Sequence, residues 1–136
     1  MQVMAQRTKK ILIVDDDAAC REAIRLALIE QDFIDIEFSE SASVACAIQQ
    51  MTAIHPDIVI LDLHMPGQNG FDFMDIVHKN KRFADTEVIM LTADGSIENC
   101  FKAEIKGIKA FHFIAKPFNI SDLQALVFSV GMPDKV

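Results

Sequence analysis

Three continuous apolar runs of strand length dominate the sequence, and each is followed directly by an acidic or hydroxyl residue. Ile11–Val14 precedes three aspartates, Ile58–Leu61 precedes Asp62, and Val88–Leu91 precedes Thr92. Runs of this kind are typical of strands that helices cover on both faces, as in parallel sheets. Because neighbouring parallel strands end at the same edge of a sheet, the pattern predicts that these polar residues meet at one rim.

Two further segments complete a pattern of five strands that alternate with helices. Residues 34–38 alternate apolar and acidic side chains, and residues 111–115 include a histidine, so both are expected at sheet edges. The last strand leads into Lys116-Pro117. The alternation predicts an α/β fold, a doubly wound five-stranded parallel sheet with helices on both faces. The apolar stripes that predict the helices are Cys20, Ala23, Ile24, Ala27 and Leu28; Ala42, Ala45, Ile48 and Met51; Phe71, Met74 and Val77; Ile97, Cys100, Phe101, Ile105 and Ile108; and Ile120, Leu123, Leu126, Val127 and Val130.

Length, charge and cysteine content narrow the class of protein. The 136 residues suit one domain with one core, and the net charge of −7 argues against direct binding of nucleic acid. No apolar run approaches the roughly 20 residues of a membrane span, and the N-terminus lacks the pattern of a secretory signal. Three widely spaced cysteines without a CxxC favour a reduced, cytoplasmic protein. We expect a flexible tail over residues 1–9, one domain over 10–131, and a short tail over 132–136 that leaves no room for an output domain.

Asp15, Asp16 and Asp62 form the predicted acidic cluster, at the strand ends where open parallel sheets bind ligands. At about 4 Å and an effective dielectric constant of about 20, each pair of carboxylates repels by about 4 kcal/mol. A raised pKa or a bound hard cation such as Mg²⁺ would relieve this repulsion. Asp17 immediately precedes a helix and is expected to be its N-cap.

Four fragments, in this order, resemble the receiver domain of two-component response regulators, the CheY-like family: ILIVDDD, DIVILDLHMPGQNG, VIMLTAD and FHFIAKPF. The resemblance covers Lys10 to Gly131 and fits a stand-alone, single-domain member. It implies a flavodoxin-like sheet of strand order 2-1-3-4-5. It also implies phosphorelay signalling, in which a sensor histidine kinase or a phosphotransfer protein donates a phosphoryl group to an aspartate.

By position in these motifs, the resemblance implies that Asp62 is the phosphoacceptor. Asp15 and Asp16 would be the acidic metal pair. Together with Asp62 and the backbone carbonyl of His64, they would bind Mg²⁺. His64 and Asp94 stand two residues beyond Asp62 and Thr92, where side chains either tune the lifetime of the phosphoryl group or are ordinary solvated loop residues.

The resemblance also implies which residues read the phosphorylated state. Thr92 would be the switch hydroxyl, Lys116 would contact the phosphoryl oxygens, and Phe113 would be the aromatic switch residue. A cis peptide bond between Lys116 and Pro117 would be in keeping with the family. Lys109-Ala110 stands where the family usually has Gly-Ala, which leaves the end of the fourth helix in question.

The implied output is contact with a downstream protein through the face of the fourth helix, the fifth strand and the fifth helix, by a monomer or a phosphorylation-dependent dimer. Neither nucleic acid nor a membrane is an expected direct partner.

An alternative function is that of an aspartyl phosphohydrolase of the haloacid dehalogenase type, since Asp15-x-Asp17 follows a strand, but Ala19 replaces the expected Thr or Val. A pseudo-receiver is a third alternative, disfavoured because the set of site residues is complete. No enzyme activity is therefore expected beyond Mg²⁺-dependent self-phosphorylation and slow autodephosphorylation.

Overall fold

The computed structural model describes residues 8–29, 35–65, 68–92 and 112–131. Within them five parallel strands form one sheet in the order β2-β1-β3-β4-β5, which confirms the predicted order 2-1-3-4-5 and places β2 and β5 at the edges. The strands are β1 (Thr8–Val14), β2 (Asp35–Ser41), β3 (Ile58–Asp62), β4 (Glu87–Thr92) and β5 (Phe113–Ala115).

Four helices of the described chain cover the sheet. They are α1 (Ala18–Ile29), α2 (Val44–Ile54), α3 (Gly70–His78) and a C-terminal helix (Ile120–Gly131). A short antiparallel pair, His64–Met65 with Gln68–Asn69, lies between β3 and α3, and a 3₁₀ turn, Lys81–Phe83, precedes β4. The predicted fourth helix, with its stripe from Ile97 to Ile108, lies outside the described residues.

Alternation along the strands divides the core into two layers, because successive side chains of a strand point to opposite faces of the sheet. Each fully buried aliphatic side chain stabilises the fold by about 1.5–3 kcal/mol. On one face, strand residues such as Ile11 and Ile60 pack with α1 and the C-terminal helix. On the other, residues such as Leu12 and Leu61 pack with α2 and α3. Helices on both faces are thus confirmed.

The buried faces of the helices differ in detail from the predicted stripes. Ser43 caps α2 by accepting a hydrogen bond from the Cys46 N–H, so the helix begins after Ala42 and buries Val44, Ala47 and Met51. The predicted Ala45 is exposed because it falls off this face. For similar reasons Ala23 in α1 and Ile120 in the C-terminal helix are exposed, whereas Phe73, absent from the predicted stripe of α3, is fully buried.

The first strand starts earlier than the predicted tail boundary. Thr8 and Lys9 belong to β1 and pair with Asp35 and Ile36, and Lys9 is 8% exposed. The reason is that the seven-residue edge strand β2 continues the ladder beyond the apolar run that marks the strand in the sequence. A flexible tail over residues 1–9 is therefore wrong for residues 8 and 9, and residues 1–7 lie outside the described chain.

Candidate functional site

The carboxyl ends of β1 and β3 bring the three predicted acids together. Val14 and Leu61 are register partners on adjacent strands, so the residues that follow them emerge side by side. Asp15, Asp16 and Asp62 each offer a carboxylate oxygen, and these oxygens lie within 4.8 Å of one another. Asp15 and Asp62 are 1% and 8% exposed, whereas Asp16 faces solvent. The acidic cluster predicted from the sequence is therefore present.

Lys116 supplies the positive charge next to this cluster. Its Nζ lies 3.0 Å from Asp15 Oδ2 and 3.8 Å from Asp62 Oδ2, so the ammonium group is bonded more closely to Asp15 than to the predicted phosphoacceptor. Burial alone would lower the pKa of Lys116, but the hydrogen bond to Asp15 and the charges of both acids raise it to about 12. Lys116 is therefore charged at neutral pH. The Lys116–Pro117 peptide bond is cis, as expected.

The carboxylate of Asp15 is stabilised in its ionised form. Burial by itself raises the pKa of Asp15, but hydrogen bonds from the Cys20 side chain, the Asp17 N–H and Lys116 outweigh it and hold that pKa below its ordinary value. Burial, together with the bond to Asp15, raises the pKa of the Cys20 thiol to about 11. Cys20 is thus a neutral hydrogen-bonding neighbour of the site, a role that its helical spacing did not indicate.

Several backbone contacts hold the loop that carries the acid pair. The Asp15 N–H donates to Ser41 O at 3.0 Å, and the Asp17 N–H donates to Asp15 Oδ1 at 2.9 Å. Asp17 itself accepts the Ala19 N–H at 3.0 Å, which confirms that it caps α1 and does not join the cluster. Arg21 Nη1 donates to Asp15 O at 2.6 Å, a contact that the sequence did not predict.

Gly70 packs against the backbone that follows the proposed phosphoacceptor. Its N–H donates to Leu63 O at 2.7 Å, and a Cβ at this position would lie 3.0 Å from Asp62 O and 3.1 Å from Leu63 Cα. Both neighbours are backbone atoms, so they cannot move aside as a flexible side chain would. The position requires glycine because α3 begins so close to the end of β3, and the motif alone gave no sign of this.

Two of the remaining predicted residues, Thr92 and Phe113, lie on strands that end at the same rim. Thr92 is the last residue of β4, whose Leu91 is the register partner of Asp62. Phe113 begins β5 and packs, partly buried, against the core cluster beneath α2 and α3. His64 belongs to the short antiparallel pair just after Asp62. Asp94 and Lys109-Ala110 lie outside the described residues.

The donor set suits a hard cation. All three side chains of the cluster are carboxylates, and Mg²⁺ prefers oxygen ligands of this kind. The cluster also lies at the carboxyl end of the sheet beside the charged Lys116, where a phosphoryl group would find both a metal and an ammonium group. The fold and this rim together define an α/β domain whose site is suited to a divalent cation and phosphate.

Comparison with known proteins agrees with this class. The family profile of the response regulator receiver domain matches residues 11–128, and the chain belongs to this family. Receiver domains are generally non-enzymatic signalling modules of two-component systems. They generally bind Mg²⁺ at an acidic cluster. Membership of this family is consistent with phosphorelay signalling.

Curated relatives include the phosphate regulon transcriptional regulatory protein PhoB of Escherichia coli, 31% identical over 124 residues, which are 90% of this chain and 51% of that protein. The DNA-binding dual master transcriptional regulator RpaA of Synechocystis is 32% identical over 120 residues, 87% of this chain and 47% of that protein. The chain thus spans about half the length of these relatives.

Solved structures of response regulators have the same fold as this chain. The chemotaxis protein CheY4 of Vibrio cholerae superposes with a TM-score of 0.79 at 26% identity, covering 93% of this chain and 99% of that one. The receiver domain of the Francisella response regulator 1452 superposes with a TM-score of 0.78 at 25% identity, covering 90% and 96%. None of the helices in the described parts of this chain has the length and hydropathy of a membrane span.

Proposed function

We propose that this chain accepts a phosphoryl group on Asp62 from a sensor histidine kinase or a phosphotransfer protein and then changes conformation to control a protein partner. The observation that best supports the assignment is the position of Asp62. It ends β3 within 4.8 Å of two further carboxylates, and its Oδ2 lies 3.8 Å from Lys116 Nζ. Asp15 shares both kinds of neighbour, since its Oδ2 lies 3.0 Å from Lys116 Nζ. Asp62 differs from Asp15 in its place as the last residue of β3, the position that the resemblance to receiver domains gives to the phosphoacceptor.

Asp62 would act as the nucleophile. A carboxylate is ionised at neutral pH and needs no general base. Its oxygen forms a bond to phosphorus while the phosphorus–nitrogen bond of the phosphohistidine breaks, and the released imidazole nitrogen takes a proton from solvent. Mg²⁺ held by Asp15, Asp16, Asp62 and the His64 carbonyl would shield the phosphoryl oxygens from the carboxylates and stabilise the transition-state charge.

Lys116 would hold the phosphoryl group after transfer. Its ammonium group is fixed by the 3.0 Å contact with Asp15, and its raised pKa keeps the proton in place at neutral pH. We assign Thr92 as the hydroxyl that donates to the new phosphoryl group and Phe113 as the aromatic residue that follows it inward. Activation is then a shift between two conformers, of which the phosphorylated protein favours one.

The proposed output surface includes β5 and the C-terminal helix. Ile120 and Phe128 of that helix are 56% and 41% exposed, which provides apolar area for a protein partner. The predicted fourth helix would complete the face but lies outside the described residues. We further propose a cytoplasmic protein that acts as a monomer or a phosphorylation-dependent dimer and does not bind nucleic acid through residues 10–131 themselves.

The phosphohydrolase alternative is disfavoured by the position of one acid. That mechanism requires the second aspartate of Asp15-x-Asp17 at the site. Here the Asp17 carboxylate accepts the Ala19 N–H and caps α1, so it is occupied elsewhere. A single modification of the protein, without turnover, fits the geometry better than repeated hydrolysis of a substrate.

The test is to incubate the protein with Mg²⁺ and acetyl phosphate and measure its intact mass. The wild type should gain one phosphoryl group, and Asp62→Asn should gain none. Asp85→Asn is a matched control, since it makes the same charge change at an exposed turn. Labelling that persists in Asp62→Asn would refute the assignment, and steady release of p-nitrophenol from p-nitrophenyl phosphate would favour the phosphohydrolase.

A further inference from the structure

Arg21 connects the loop that carries the acid pair to the edge strand β2. Its Nη1 donates to the backbone oxygen of Asp15 at 2.6 Å, and its Nε donates to Glu40 Oε1 at 2.9 Å. The Arg21 side chain is 17% exposed, so the guanidinium group is largely enclosed by these partners. A planar guanidinium group with two donors on different elements is a rigid link between them.

Glu40 is itself held from two sides. Arg25 Nε lies 3.4 Å from Glu40 Oε2, and the backbone oxygen of Glu40 accepts Gln50 Nε2 of α2 at 3.2 Å. The anchor of Arg21 is therefore part of a network that includes α1, β2 and α2. In the described contacts Arg25 reaches Glu40 alone, whereas Arg21 reaches both Glu40 and Asp15.

The Asp15 oxygen that Arg21 binds belongs to the peptide that joins Asp15 to Asp16. Two further hydrogen bonds hold Asp15 itself: its N–H donates to Ser41 O, and its carboxylate accepts the Asp17 N–H. The carbonyl contact fixes the rotation of the Asp15–Asp16 peptide plane, and that rotation sets the direction in which Asp16 leaves the loop. A charge-assisted hydrogen bond is well suited to hold such a plane.

We propose that Arg21 is a positioning residue for the acid pair. Through the carbonyl of Asp15, it holds the Asp16 carboxylate where that group can share a cation with Asp15 and Asp62. This inference rests on the proposed function of the site and adds a residue that determines its metal affinity. Arg21 touches neither the cation nor the phosphoryl group in this role and acts only through the backbone.

Charge and positioning predict opposite effects, which makes the role testable. A guanidinium group near the cluster repels a cation, so its charge alone makes binding of Mg²⁺ weaker, and removing it would tighten binding. If Arg21 instead orients Asp16, removing it weakens binding. Loss of a residue that orients metal ligands commonly lowers metal affinity about 10–100-fold. Because Arg21 acts through a single backbone contact, we expect its loss to lower the Mg²⁺ affinity by about 10-fold.

The experiment is a calorimetric titration of the metal-free protein with Mg²⁺ at constant ionic strength. Arg21→Ala should bind about 10-fold more weakly than the wild type. Arg21→Lys should fall between them, because the ammonium group of a lysine can still donate to the Asp15 carbonyl but cannot bridge Asp15 and Glu40 at the same time. Arg25→Ala is the matched control, since it removes the same charge from the same helix and leaves the Asp15 contact in place, and its affinity should be unchanged or higher.

A second readout needs no metal. In the metal-free protein, amide exchange at Asp17, whose N–H is bonded to the Asp15 carboxylate, should be faster in Arg21→Ala than in Arg25→Ala, at matched thermal stability. Unchanged or tighter Mg²⁺ binding by Arg21→Ala would overturn the inference, as would an equal loss in Arg25→Ala. If Arg21→Ala does not fold, Arg21→Lys decides by the same comparison.

The two proposals fail separately. A wild type that acquires a phosphoryl group on Asp62, with an Arg21→Ala variant of wild-type Mg²⁺ affinity, overturns the inference alone. A wild type that binds Mg²⁺ and loses affinity with Arg21→Ala, but never acquires a phosphoryl group, overturns the proposed function and supports the positioning role.

Discussion

Replacement of Asp16 by asparagine should stabilise the metal-free protein, although it removes a residue of the proposed cation site. The carboxylate oxygens of Asp15, Asp16 and Asp62 lie within 4.8 Å of one another. At that distance two like charges repel by about 0.9 kcal/mol at a dielectric constant of about 80 and by about 3.5 kcal/mol at about 20. Asp16 is exposed, so its two repulsions lie near the lower value, and Lys116 and salt offset part of them. We expect a gain of about 1–2 kcal/mol in the free energy of unfolding.

Magnesium should reverse the order of stability. A ligand that binds only the folded protein stabilises it by about 2.7 kcal/mol at one hundred times its dissociation constant. The wild type gains this stabilisation with three carboxylates, whereas Asp16→Asn binds more weakly and gains less. The wild type should therefore become the more stable protein as the concentration of Mg²⁺ rises. This crossing separates a residue that contributes to function from one that merely destabilises the fold.

The assay is urea unfolding followed by far-ultraviolet circular dichroism, because the chain contains neither tryptophan nor tyrosine. Each protein is measured in EDTA and at several Mg²⁺ concentrations of equal ionic strength. Asp17→Asn is the control, since it makes the same charge change one residue away and asparagine caps a helix as well as aspartate. An Asp16→Asn variant that is less stable than the wild type in EDTA would refute the reasoning, because Asp16 would then form a stabilising contact instead of a repulsive one.

Two further predictions concern the neighbours of the cluster. Gly70→Ala should lower the free energy of unfolding by about 1–3 kcal/mol, since its Cβ would meet backbone atoms of residues 62 and 63, and should slow phosphorylation by acetyl phosphate; an unaltered urea midpoint would contradict this. For Lys116, whose pKa is raised from 10.5 to about 12, the associated stability is complete below pH 10.5 and lost as the pH rises through 12. The stability advantage of the wild type over Lys116→Met should therefore shrink across that interval in urea unfolding, and a constant difference would show that the raised pKa is wrong.

The strands and the acidic cluster could be predicted because they follow from local patterns, whereas the order 2-1-3-4-5 was implied by the resemblance to receiver domains. Uninterrupted apolar runs such as Ile58–Leu61 identify buried parallel strands, and the residue after each run must lie at the carboxyl rim. The assignment of Asp17 as a helix cap needed only its place before an apolar stripe. The boundaries of the helix faces were less predictable. In α2 the predicted stripe included Ala45, but the cap at Ser43 determines where the helix begins and therefore which of several small apolar residues is buried.

The contacts that tune the site could not be predicted because they join distant parts of the chain. Lys116 and Asp15 are 101 residues apart, and only the folded sheet shows that the ammonium group bonds Asp15 more closely than Asp62. Nor does spacing reveal that the Cys20 thiol bonds the same carboxylate and has its pKa raised in consequence. A side chain that looks like core filler in a helical stripe can lie at the edge of a site, because the first turn of α1 begins at the rim.

The sequence by itself determined the strands, the identity of the acids and the family, since all three depend on residues adjacent in the chain or on motifs in a set order. The strand order followed only through the resemblance to that family. The tertiary structure alone decided which residues contact the acids and at what distances. The link from Arg21 to Asp15 and Glu40 and the approach of Gly70 to the backbone after Asp62 depend on distances between elements. Such distances depend on how the two core layers pack, and packing is a property of the whole fold that no single segment encodes.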